Sequence, residues 1–103
     1  MNIIIFITCA NKKEAKGIAG YLVGQKLVAC VNIIDKIESV FWWQGKIDSS
    51  GELLLVAKSK KSLMPKIIRG VKSRHSYQVP EIIAIPIIDG NKDYLNWINE
   101  SVG

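Results

Sequence analysis

Residues 3–7, Ile-Ile-Ile-Phe-Ile, are apolar without a break, which reads as a strand buried on both faces. Asn11 follows, with Glu14 three positions on, the spacing of an N-cap and capping box. Ala15, Ile18, Ala19, Leu22 and Val23 then recur at helical intervals, predicting a first helix over residues 12–25. Apolar patterning resumes over 27–44 as one long strand with a local irregularity at Asp35-Lys36. Gln44-Gly45 is the expected turn, and the chain returns antiparallel with a second kink or bulge at Ser49–Gly51. Ser59 or Ser62 caps a second helix that buries Met64, Ile67, Ile68 and Val71. Pro65 belongs in a first turn, which favours Ser62, and the helix should stop near Arg74. Val79-Pro80 forces extension into a last strand over 82–88, with Pro86 at an edge or break. Asn91 then opens a short terminal helix burying Tyr94, Leu95, Ile98 and Val102.

The order strand, helix, strand, strand, helix, strand, plus a terminal helix, predicts an α+β ferredoxin-like βαββαβ sandwich. Residues 1–103 form a single domain, with no repeat, linker or low-complexity segment. Yet the strands at 3–7, 53–57 and 82–88 are apolar at nearly every position, and helices cover only one face of such a sheet. The hairpin adds a size argument. A strand of ~16 residues extends ~50 Å, whereas a domain of ~100 residues is roughly 35 Å across. Phe41, Trp42 and Trp43 should therefore project on an arm that needs a partner. A homo-oligomer answers both problems.

Composition changes this picture little. The formal charge is +5, and twelve of the fourteen basic residues are Lys. Scattered lysines without Arg forks or an aromatic strand motif speak against nucleic acid. No apolar run approaches the ~20 residues that span a bilayer, so no membrane partner is expected. The N-terminal run has no basic flank of the signal-peptide kind, and the expected location is cytoplasmic, with Cys9 and Cys30 as reduced thiols.

The runs KLVACVN, FWWQGKI, LLLVAKS, HSYQVPEIIAIPI and GNKDYLNWI resemble the CutA family, the divalent-cation tolerance proteins, across residues 3–101. The resemblance implies a trimer of ferredoxin-like subunits with interlocking hairpins, similar to PII-type signalling proteins. It implies a proposed role in homeostasis and tolerance of copper and other divalent cations, without an established enzymatic activity. The chain departs from the family pattern at Ser76, where proline is common, and at Gln78, where glutamate is frequent. Asp35-Lys36 stands where Pro-Gly is usual.

Cys9 and His75 match positions described as copper ligands in some family members, and thiolate with imidazole suits Cu(I) or zinc. Arg74 occupies a place open to a second histidine. The plainer alternative makes Cys9 a small buried hydrophobe and His75 a polar cap at a helix C-terminus. Cys30 reads as core or subunit-interface packing. Trp42, Trp43, Lys58, Tyr77 and Glu81 either line an inter-subunit cleft or pair with one another. Asp89 and Asp93 are better explained by capping than by hard-cation binding, and Lys12 and Lys13 by solvation.

Two functions compete: a metal-responsive trimer, and a trimeric scaffold or PII-like sensor that binds a small anionic ligand or a protein, metal being incidental. An enzyme is not expected. The acylphosphatases share the fold but carry a Gly-rich loop with arginine after the first strand, where this chain has TCANKKEA. No Ser-His-Asp, paired-carboxylate or P-loop pattern appears.

Overall fold

The computed structural model describes all 103 residues. Strand β1 (Asn2–Cys9) leads into helix α1 (Lys12–Gly24), strands β2 (Cys30–Trp43) and β3 (Lys46–Lys60), helix α2 (Met64–Lys72), strand β4 (Ile82–Pro86) and helix α3 (Lys92–Ser101). The four strands form one sheet in the order β2-β3-β1-β4, with every neighbouring pair antiparallel. This is the expected ferredoxin-like arrangement.

Strand alternation sorts the apolar runs onto two faces. Ile3, Ile5, Ile7 and Cys9 point with Leu53, Leu55 and Ala57 into a core closed by Ala15, Ile18 and Leu22 of α1 and Ile67 and Val71 of α2. Each large side chain fully buried there contributes about 1.5–3 kcal/mol. The opposite face carries Ile4, Phe6, Leu54, Val56, Ile83 and Ile85 by the same alternation. Helix α3 covers only one end of it. Asn99 accepts from Asn2 at 3.0 Å, and the Tyr94 hydroxyl lies 3.5 Å from Cys30 Sγ, both partners being open-face residues. Beyond α3, Ile34, Ile83 and Ile85 remain 46%, 53% and 45% exposed.

The hairpin projects as its length requires: the molecule measures 44 × 25 × 23 Å. Gln44 and Gly45 turn it with φ of 50° and 77°, the two positive values of a tight hairpin turn. The irregularity falls where expected, between Ile34 and Ile37, with Lys36 at φ 59°. The second one does not exist. Pairing runs unbroken from Ile37↔Glu52 to Trp43↔Lys46, because Ser49–Gly51 sit opposite partners that keep the ladder in step.

Four further expectations are corrected. A 3-10 turn over Lys61–Leu63 precedes α2, so neither Ser59 nor Ser62 caps it, and the helix starts at Met64, with Pro65 in its first turn, without a side-chain cap. Ser59 is instead fully buried and donates to the Leu27 carbonyl at 2.6 Å. Val23 and Ile68 lie outside the buried stripes of their helices, and Tyr94 is exposed, while Ile98 and Val102 do the burying in α3. The second and last strands are shorter than expected, since Leu27–Ala29 form the approach to β2 and Pro86 ends β4.

Candidate metal centre and hairpin groove

The end of β1, the start of α1 and the turn after α2 converge on three possible ligands. Asn11 caps α1 by accepting from the Glu14 amide at 2.9 Å. Glu14 reaches back to the Ala10 amide at 2.9 Å with one oxygen, and takes the Ser76 amide at 2.6 Å with the other. One carboxylate thus joins the β1–α1 turn to the loop after α2. His75 lands beside it, with Nδ1 3.9 Å from the carboxylate and the side chain entirely buried. Cys9 is also fully buried, and the ligating atoms of Cys9, Glu14 and His75 all lie within 4.8 Å of one another.

The hydrogen bonds fix the state of the ring. His75 Nε2 lies 2.7 Å from the Thr8 carbonyl, which only accepts, so Nε2 donates. Nδ1 accepts from the Tyr77 amide at 3.0 Å. Only the neutral tautomer protonated at Nε2 satisfies both, leaving no ring lone pair free. By residue type and spacing the three side chains suit a soft or borderline cation. By hydrogen bonding, the carboxylate and the imidazole are already engaged.

Electrostatics points the same way. Burial, followed by the nearby charges of Glu14 and Glu52, pushes the Cys9 thiol up to about 12. Burial also pulls the Glu14 carboxyl upward, but the Ala10 and Ser76 hydrogen bonds outweigh it and hold it below 4.5. A depressed carboxylate contributes stability that is complete above the unfolded value and lost as pH falls through the folded one. Glu14→Gln should therefore flatten the acid limb of a stability-versus-pH curve measured by urea unfolding, below pH 4.5.

Tyr77 continues the chain of contacts. Its ring packs 4.8 Å from His75, and its hydroxyl donates to Glu52 at 2.7 Å. Burial and then this bond raise the phenol to about 12. For Cys9 and Tyr77 the folded value exceeds the unfolded one, so their contribution is full below 9.0 and 10.0 respectively, and fades as pH rises toward 12. Urea midpoints should fall across that window, less steeply in Cys9→Ala.

Of the other sequence candidates, Trp42, Trp43, Tyr77 and Glu81 line one groove of about 950 Å³, between the hairpin and the loop after α2. Cys30 and Lys58 are not part of it. They face each other across β2 and β3, with Lys58 donating to Asn32 and Cys30 beside Tyr94. Sequence reasoning missed Glu14 as more than a cap, and missed Glu52, only 6% exposed. A lone carboxylate opening the apolar run Leu53–Ala57 was the available signal for Glu52.

Residues 3–101 match the family described as CutA1 divalent ion tolerance protein. The chain belongs to the CutA1 family. A solved CutA1 structure from Thermus thermophilus superposes with a TM-score of 0.98 at 42% identity, each chain covering the other completely. The structure described as periplasmic divalent cation tolerance protein CutA from Archaeoglobus fulgidus gives 0.96 at 43% identity, also with full coverage of both chains. The rice protein CutA 1, chloroplastic, from Oryza sativa subsp. japonica, is 45% identical over 97% of this chain and 56% of its own length. The chain thus spans about half the length of the rice, mouse and Arabidopsis CutA relatives.

Proposed function

We propose that the protein is a cytoplasmic homotrimer acting in divalent-cation tolerance, with copper or another soft cation meeting it at Cys9, Glu14 and His75. The convergence of these three donors within 4.8 Å carries the reading. A thiolate, a carboxylate and an imidazole are the set a borderline cation prefers. The relatives from Thermus and Archaeoglobus are named for divalent cation tolerance. The uncovered apolar face supports assembly, since patches of that kind are rare on monomers. Two free thiols suit a reducing compartment. Binding a cation through Nδ1 would require His75 to release the Tyr77 amide, so the turn at 75–77 has to shift.

The engaged ring favours a second reading, in which the trimer is a scaffold or PII-like sensor for a small anionic ligand or a protein in its inter-subunit clefts. In both readings the groove beside Trp42, Trp43, Tyr77 and Glu81 is a natural seat for a neighbouring subunit. We assign neither reading a catalytic step.

Calorimetric titration of reduced protein with Cu(I), Cu(II) and Zn(II) separates them. Cation binding at the cluster should weaken by about tenfold or more in Cys9→Ser and His75→Gln. Weak affinity indifferent to both changes would remove the metal reading and leave the scaffold. Native mass spectrometry should show three chains.

A further inference from the structure

Spread along the sequence, most of the basic residues are nonetheless gathered by the fold onto one layer. Residues 12–26 and 61–74, the helical layer, hold nine of the fourteen basic residues and one of the nine acidic ones. That one, Glu14, is turned inward onto the Ala10 and Ser76 amides. The remainder of the chain carries five basic residues against eight acidic. Only one lysine, Lys12, has a carboxylate partner, Asp35 at 3.4 Å. The outer helical face is therefore strongly positive and scarcely compensated, a field that concentrates anions.

Within this face, α1 and α2 flank an open cleft of about 460 Å³. Gly70 lets the Tyr21 ring rest against the α2 backbone at the edge of the cleft, because a Cβ there would lie 2.6 Å from that ring. The Arg74 guanidinium stacks 3.5 Å above that ring and holds it down. Lys66 and Arg69, one helical turn apart, line the cleft with Tyr21, Gln25 and Ser73, and no carboxylate does. Neither cation is in an ion pair.

We propose that this cleft binds a phosphate-bearing small molecule, one per subunit. Two cations at one spot match a multiply charged anion, with Arg69 offering a planar fork and Lys66 a mobile point charge. The Tyr21 hydroxyl and the Gln25 amide border the same space and suit the uncharged part of such a ligand. Arg74 occupies a face of the only aromatic ring here, so the cleft lacks the open stacking platform that single-stranded nucleic acid uses. The cleft lies on the side of the sheet opposite the open apolar face, and assembly through that face leaves it accessible.

Tripolyphosphate, titrated into the native full-length chain at low ionic strength and followed by amide NMR shifts and calorimetry, is the test. Saturable binding is expected, with shifts confined to Tyr21, Gln25 and residues 66–74. Lys66→Gln/Arg69→Gln should lower the affinity at least about tenfold. The distant pair Lys12→Gln/Lys13→Gln should lower it less than about threefold. All are surface changes, and unchanged melting confirms folding. Equal losses from both pairs, or no saturable binding, would overturn the site. Vesicles containing phosphatidylglycerol form the second arm. Co-sedimentation with them while free tripolyphosphate fails to bind would assign the basic face to a lipid surface and overturn the small-molecule site.

Discussion

Ile83→Asp is expected to break the assembly into single chains, lowering the mass in light scattering from about three times 11.5 kDa to 11.5 kDa. The argument is differential. Ile83 is 53% exposed in the isolated chain, so a carboxylate there is tolerated by the fold of one subunit. Once the open faces meet, each subunit buries an unpaired charge, which costs several kcal/mol per ion. Each of the three interfaces would then carry such a charge. Val23→Asp, on the outer side of α1 and 44% exposed, is the control and should leave the mass unchanged. Melting temperature should fall with the assembly, because oligomerisation stabilises by mass action. A wild-type chain that already scatters as 11.5 kDa would contradict the trimer outright.

His75→Ala should destabilise the subunit by about 3–5 kcal/mol, summing a buried cavity and two orphaned backbone groups. The ring is wholly buried, and it alone joins the Thr8 carbonyl to the Tyr77 amide. Its loss loosens the loop after α2 from the end of β1. His75→Gln keeps a donor near the Nε2 position and should cost about 1–2 kcal/mol, reflecting the missing acceptor for Tyr77. Urea unfolding of the three proteins gives the ranking directly. Equal stability of wild type and His75→Ala would mean the ring is not the lock its bonds describe. If cation binding is then lost in His75→Gln while stability is nearly kept, the imidazole has a ligand role beyond its structural one.

Periodicity located the elements because the physics that sets it is local. Ile3–Ile7 and Leu53–Ala57 are uniformly apolar because both faces of the sheet are, and that property told of a second apolar face before any coordinates. The Asn11 cap and the Gln44-Gly45 turn were legible for the same reason, each being settled within four residues. What stayed hidden was long-range. Ser62 looks like a cap, yet the chain enters α2 through a 3-10 turn that makes its hydroxyl unnecessary. Ser59 looks like a cap too, but is recruited by the Leu27 carbonyl 32 positions away. At the site, residue type nominated Cys9 and His75 as ligands, and the fold brings them together beside Glu14. Nothing in a string of letters shows that both ring nitrogens are spoken for, or that Glu14 bridges 62 positions to Ser76.

The extra residue between Ile34 and Ile37 acts as a parity inverter. Up to Ile34 the even positions of β2 share a face with Val56 and Leu54, while beyond it the odd ones, Phe41 and Trp43, do so instead. Deleting Lys36 would make the ladder regular while Trp42 stays opposite Ile47 and Trp43 opposite Lys46, so the arm would lose its local twist and keep both indoles on their faces. Length changes at the bulge therefore alter the bend of the arm, while its facing stays fixed by the ladder from Glu52 to Lys46.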